Sequence, residues 1–267
     1  MKRDGHIHTP FCPHGSTDPF ELYIEKAIAS GFEEITFTEH APLPIKFVDP
    51  TPEQDSGMDL SQLQRYFEQL QHLKECFKSQ IKINIGLEID YIVGYEEGTR
   101  QFLNEYGKFL DDAILSVHFL KHNNNYYCID FSEDVYLHFA EQVGGIREMY
   151  DLYYQTVQMS IQADLGPFKP KRIGHPTLIH KFQLAHSRQI DDNNQIESLF
   201  MNMKKHGYEL DLNSAGLSKP LCKEAYPPLD MVAFAQSIQL PIIFGSDAHT
   251  ANDLHQHYSE IFRKINF

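Results

Sequence analysis

Residues 83–88 read Ile83-Asn84-Ile85-Gly86-Leu87-Glu88, a mostly apolar run that ends in a carboxylate. Its length and β-branched content predict a strand over 81–88. A carboxylate at the end of such a strand is expensive to take out of water unless a cation meets it. The same construction recurs along the chain. Glu34-Ile35-Thr36-Phe37-Thr38-Glu39 runs into His40, and Asp112 to Val117 runs into His118. Arg172 to Gly174 runs into His175, and Pro241-Ile242-Ile243-Phe244-Gly245 runs into Ser246-Asp247-Ala248-His249. A short strand over residues 5–8 carries His6 and His8, whose two-residue spacing puts both imidazoles on one side.

Helical stretches separate these strands. The pattern predicts helices over Pro19–Ser30 (with Asp18 as N-cap), Asp59–Gln80, Thr99–Tyr106, 133–164 with a break at Gly144-Gly145, Asp191–His206, Leu229–Gln239 and Asn252–Ile265. A further strand is expected over Glu209–Leu212, and polar loops over 41–58, around Asn123-Asn124-Asn125, and over 213–228. This makes seven strand–helix units, an alternation that implies parallel strands and right-handed crossovers. In a (β/α) barrel the chemistry sits at the C-terminal ends of the strands, where these His, Asp and Glu residues fall. An open doubly wound sheet would gather them at one switch point rather than around a ring. The expected fold is therefore α/β, a distorted seven-stranded (β/α)7 barrel, forming one domain over residues 1–267.

The hydrophobic fraction of 42% suffices for such a core, while the net charge of −14 speaks against a nucleic-acid partner. The four cysteines, Cys12, Cys76, Cys128 and Cys222, show no Cys-x-x-Cys spacing and read as free thiols of a reducing compartment. Cys12 stands close to His14, but a packed thiol is the simpler account. No stretch is long and apolar enough to span a bilayer, so a cytoplasmic protein without a membrane partner is expected. Nothing in the sequence specifies an oligomeric state.

A lone His-x-His or a lone strand-end histidine is ordinary, and each of these residues taken singly would be read as surface or core. Their convergence at strand ends changes that reading. Glu88 is the candidate for bridging two cations, because a carboxylate can do so. Glu39 should point away from His40 and, like Asp90, act behind the ligands. His72, His138, His186, His206, His255 and His257 read as surface histidines; His122 and His180 lie in loops on the active face.

Taken in order, His-x-His, Thr-Glu-His, a Glu-terminated strand, Ser-Val-His, Gly-His-Pro and Gly-Ser-Asp-Ala-His resemble the PHP (polymerase and histidinol phosphatase) family over essentially the full chain. The resemblance implies a distorted seven-stranded barrel with three divalent metal ions. One would be held by His6, His8, Glu88 and Asp247. A second would share Glu88 and add His118 and His175, and a third would take His14, His40 and His249. Several imidazoles with oxygen donors suit zinc first, with iron or manganese as alternatives.

The Cys-Pro-His-Gly segment, the Asp-Leu-Asn-Ser-Ala-Gly-Leu stretch over 211–217 and the long fourth helical unit are most similar to the histidinol-phosphate phosphatases of that family. This implies hydrolysis of a small phosphomonoester, L-histidinol phosphate, by a metal-activated hydroxide. Asp247 and His249 are then the catalytic candidates. Asn213, Arg172, Lys181 and Lys219 are the candidate substrate contacts. The 41–58 loop (Phe47, Asp49, Asp55) and the 122–134 loop (Tyr126, Tyr127, Asp130) are expected to select the alcohol. The alternatives are a PHP phosphoesterase acting on phosphotyrosine or a nucleotide, a PHP exonuclease, and a non-catalytic metal-binding module. The acidic balance disfavours the exonuclease and the intact ligand set disfavours the silent module.

Overall fold

Strand β3 (Lys82–Asp90) is buried at every residue after its first, as expected of a strand covered on both faces. It is the third strand of a seven-stranded sheet in a computed structural model that describes residues 2–265. Its neighbours are β2 (Glu34–His40) and β4 (Asp112–Ser116); β1 (Arg3–Ile7) lies beyond β2, and β7 (Arg172–Ile173), β8 (Glu209–Asn213) and β9 (Ile242–Gly245) lie beyond β4. Their spatial order is β1-β2-β3-β4-β7-β8-β9, and every pairing between them is parallel. A parallel bridge between Ile7 and Ala248 brings the last strand back to the first. The closing hydrogen bonds run from Asp247 N to the His6 carbonyl (2.8 Å) and from His8 N to the Ala248 carbonyl (3.0 Å). The nearly closed seven-stranded barrel expected from the sequence is therefore present.

Helices clothe the barrel: α1 (Phe20–Ala29), α2 (Leu63–Phe77), α3 (Glu96–Tyr106), α4 (Glu133–Val143), α5 (Ile146–Gln162), α6 (Asn193–Lys205), α7 (Leu229–Ser237) and α8 (Tyr258–Ile265). The apolar stripe of α2, with Leu63, Phe67, Leu70 and Leu73 buried, packs on the sheet as its spacing predicted. The break between α4 and α5 falls at Gly144 and Gly145, both at positive φ.

Three local expectations change. The segment around Asn123 is an antiparallel hairpin, β5 (Phe119–His122) with β6 (Asn125–Cys128), turned by Asn123 at φ 55°. The closing helix starts at Tyr258 rather than Asn252, because residues 251–253 form a 3-10 turn capped by Thr250. Asp18 does not cap α1; its carboxylate accepts from Ala251 N (2.9 Å) and ties the first loop to the last.

Arg172 opens β7, at the N-terminal end of the barrel rather than the active end. Its fully buried guanidinium bonds Asp112 Oδ2 at 2.6 Å, beside Arg3 at 2.5 Å from the same oxygen. A Cβ at Gly5 would lie 2.1 Å from Arg172 Nη1, so a glycine there makes room for the charge. Arg172 thus belongs to the floor of the barrel, and the expectation that it contacts phosphate is withdrawn.

Candidate metal centre

Parallel register sets the level of the site. His40 pairs with Glu88, and Asp90 pairs with Ser116, so the last residues of three adjacent strands share one rim. The Glu88 carboxylate divides between two sets of imidazoles. Its Oε2 faces His6 Nε2 (3.4 Å), His8 Nε2 (3.5 Å) and His40 Nδ1 (3.2 Å). Its Oε1 faces His175 Nε2 (2.8 Å) and His118 Nε2 (3.7 Å), and accepts a hydrogen bond from Ser116 Oγ (2.6 Å). Asp247 Oδ1 lies 3.6 Å from His6 Nε2 and 3.1 Å from His8 Nε2. Donor atoms about 3.3 Å apart form the edges of a tetrahedron around an ion with bonds of about 2.0–2.2 Å. The spacing therefore suits cations. Among the described residues, three groups bring one donor atom from each member within 4.8 Å of the others: His6, His8 and Asp247; Glu88, His118 and His175; and His8, Cys12, His40 and His249.

The nitrogens that face inward are prepared from behind. His6 Nδ1 bonds Asp211 Oδ2 (2.9 Å), His8 Nδ1 bonds Glu39 Oε1 (3.1 Å) and His118 Nδ1 bonds Asp90 Oδ1 (2.8 Å). Such carboxylate–imidazole pairs fix the tautomer and leave Nε2 free to bind a metal. His6 Nε2 and His8 Nε2 are indeed buried without a hydrogen-bond partner among the described residues. His14 Nδ1 bonds the Asp55 carbonyl (2.9 Å), and His249 Nδ1 bonds that of Asp247 (3.0 Å). The His14 ring stands 5.0 Å from that of His40 and 5.3 Å from that of His249. His175 and Asp247 leave strand geometry at φ 23° and 52°, which turns both side chains into the rim.

Burial alone would keep His6 neutral, but the charges of Asp247, Asp211 and Glu88 raise its pKa to about 10. Burial likewise disfavours the charged form of His118, and Asp90 and Glu88 raise it to about 10. Burial opposes ionisation of Glu88, yet His6, His118 and His175 hold it well below the usual carboxylate range. Asp247 is held down in the same way, against burial, by His6, His8 and His249. Burial lowers the His40 pKa well below its ordinary value, with the charge of His8 adding to the effect. The cluster keeps Glu88 and Asp247 ionised, with imidazoles supplying the positive charge that a bound cation would supply in their place.

A cavity of about 470 Å³ opens onto the rim, and Glu88, His118, His175, Asp247 and His249 form its base. Lys181 and Lys219 line its walls, and Lys181 Nζ pairs with Asp130 Oδ2 at 3.0 Å. Asp55 and Asp130 also face it. The other loop expectations fall elsewhere. Phe47 packs among Tyr95, Phe119 and Tyr126; Asp49 accepts from Thr51 and Ser56 within its own loop; and Tyr127 stacks on Phe139.

Asn213 is wholly buried: its Nδ2 donates to Asp247 Oδ2 (3.1 Å) and its Oδ1 accepts from Ala215 N (3.0 Å). It holds a rim carboxylate in place rather than meeting a substrate. His180 and His122 take no part in the cluster. His180 lies between Asp192 (2.7 Å) and Glu224 (2.6 Å). His255, expected at the surface, bonds Asp4 at 2.8 Å and stacks on Phe32. Asp211 was missed as a supporting residue, although a carboxylate inside an apolar strand was the signal that singled out Glu88.

Residues 4–215 match the PHP domain family. The histidinol-phosphatase of Bacillus subtilis (strain 168) is 44% identical over 266 residues, covering 99% of each chain. A crystal structure of a histidinol phosphatase candidate from Listeria monocytogenes is 42% identical, superposes with a TM-score of 0.91, and covers 97% of this chain and 99% of that one. The histidinol phosphate phosphatase of Lactococcus lactis, solved with zinc, L-histidinol and phosphate, is 22% identical with a TM-score of 0.73. It covers 100% of this chain and 94% of that one, and shows the shared fold.

Proposed function

This chain belongs to the PHP domain family, and from that membership we propose that it is a histidinol-phosphatase, hydrolysing L-histidinol phosphate to L-histidinol and phosphate in histidine biosynthesis. The observation that carries the reading is full-length similarity to a histidinol-phosphatase together with a rim of buried, carboxylate-oriented imidazoles at the base of a cavity.

We assign three divalent ions to the rim, zinc being the best fit to its donors. His6, His8, Glu88 and Asp247 would hold the first; Glu88, His118 and His175 the second; and His14, His40 and His249 the third. The division of the two Glu88 oxygens between His6, His8 and His40 on one side and His118 and His175 on the other supports its bridging role. When bound, such ions supply charge neutralisation for the phosphoryl group and a water acidic enough to attack near neutral pH.

The protein's own part is placement. Lys181 and Lys219 offer ammonium groups on the cavity walls to phosphate oxygens. Asp130 holds Lys181 in position and is itself kept ionised, against burial, by that lysine and His118. Asp247 and His249 reach the cavity and are the groups placed to meet the reacting phosphoryl group; Asp247, held ionised, can accept a proton from the attacking water. Asn213 orients Asp247 for this. Asp55, with Asp130, presents carboxylates to the cationic end of an amino-alcohol.

The test is phosphate release from L-histidinol phosphate by protein loaded with zinc, iron or manganese, before and after chelation. Turnover that is lost with the chelator and restored by ions is expected. A fully loaded, folded protein that releases no phosphate contradicts the proposal.

A further inference from the structure

We infer that Cys12 is a thiolate ligand of the outermost ion site, joining His40 and His249, and that it makes this site selective for zinc over harder ions such as manganese. The inference rests on the metal-centre reading above and adds a donor of a different chemical kind to it.

The loop after β1 is folded to present this sulfur. Cys12 N donates to the Thr9 carbonyl (2.9 Å), and Gly15 N donates to the Cys12 carbonyl (3.3 Å), so Cys12 sits between two tight turns. Ser16 N donates to the His249 carbonyl (2.9 Å), which docks the loop against another rim residue. A Cβ at Gly15 would lie 2.9 Å from Cys12 Cβ and 3.2 Å from its Sγ, so only a glycine lets the loop close over the thiol. The Cys12 side chain is buried, and its sulfur lies within 4.8 Å of one nitrogen each from His8, His40 and His249.

An imidazole of this site supplies an independent sign of a ligand. His40 Nδ1 is buried and lacks a hydrogen-bond partner among the described residues. The remaining cysteines are engaged elsewhere: Cys76 with His72, Cys128 with Asp130 and Cys222 with the Glu224 carbonyl. A metal-bound thiol is deprotonated outright. A thiolate with imidazoles favours zinc, whereas oxygen-rich sets suit manganese. The bridging pair around Glu88 contains no sulfur, so the three sites would differ in metal preference.

The experiment is loading of metal-free protein with cobalt(II), following near-ultraviolet absorption and ion content together, in wild type, Cys12→Ser and Cys76→Ser. Wild type and Cys76→Ser should take up three ions and show thiolate-to-cobalt charge-transfer absorption. Cys12→Ser should lose that absorption and bind the third ion at least about tenfold more weakly. Three ions without the absorption, or absorption retained in Cys12→Ser, overturns the role of Cys12 while leaving the metal centre standing. A wild type that binds no cobalt overturns both. Should Cys12→Ser not fold, alkylation of the wild type, read by mass at Cys12, decides the matter. Protection by cobalt that chelation removes supports the ligand, and equal alkylation with and without cobalt refutes it.

Discussion

Glu39, Asp90 and Asp211 never reach the cavity, yet they decide what the rim can bind. Each holds one Nδ1–H so that Nε2 points inward. Removing such a partner from a metal-binding histidine typically weakens the metal by about 10–100-fold. Glu39→Gln should therefore lose metal affinity by about that factor, measured by competition with a chromophoric chelator; unchanged affinity would show that the Glu39–His8 contact is incidental. Arg172→Met tests the floor. Leaving part of a buried ion cluster uncompensated should destabilise the fold by about 3 kcal/mol, seen as a lower denaturant midpoint. The KM for L-histidinol phosphate should be unchanged, and a large rise in KM at full stability would return Arg172 to the phosphate site. Most of the proposed ligand residues were legible in the sequence because they close apolar runs, whereas His14 was legible only from its place in the loop after the first strand. Arg172 was misplaced because a basic residue near a strand gives no sign of which end it enters, and its partner Asp112 lies sixty positions away.

The seam between β1 and β9 is closed by an isolated bridge between Ile7 and Ala248 and lies directly under the rim. Its backbone contacts are confined to the closing residues, and the Asp4 carboxylate fills in by accepting from Ser246 N (3.0 Å) and His6 N (3.3 Å). A Cβ at Gly245 would fall 2.5 Å from Asp211 Oδ1 and 2.6 Å from His6 Cβ. Gly245→Ala should then open the seam, costing about 1–3 kcal/mol of stability, and loosen the Asp211 hold on His6. Thermal melting and metal titration should fall together, and a variant that keeps both would show that the seam does not position His6. The seven units and their order were readable because helical and strand periods alternate cleanly. The β5–β6 hairpin was not, because three asparagines in a row look like an open loop, and its pairing depends on Phe119 and Cys128 packing beneath Phe47 and Tyr126. The late start of α8 was hidden for a similar reason: His255 is drawn down to Asp4, which no local pattern records.

At the scale of the whole molecule, His180 joins parts of the chain that the barrel leaves apart. Its ring nitrogens meet Asp192 at the start of α6 and Glu224 in the loop after β8. Burial would lower its pKa, but these two carboxylates raise it to about 9. A histidine whose folded pKa is raised stabilises fully below its unfolded value of about 6.5, and the contribution fades as pH rises through about 9. The melting-temperature gap between wild type and His180→Gln should therefore be widest near pH 6 and narrow towards pH 9; a gap independent of pH would mean that the pair acts by shape alone.

The central claim is that rim and cavity together serve one substrate, and relative kcat/KM tests it most directly. Metal-replete protein should be compared on L-histidinol phosphate, phosphotyrosine, AMP and p-nitrophenyl phosphate. The account predicts a preference for L-histidinol phosphate of about a hundredfold, equivalent to about 2.7 kcal/mol of transition-state discrimination. Weak and even turnover across the four would contradict it, leaving a metal-dependent phosphatase whose cavity does not select histidinol.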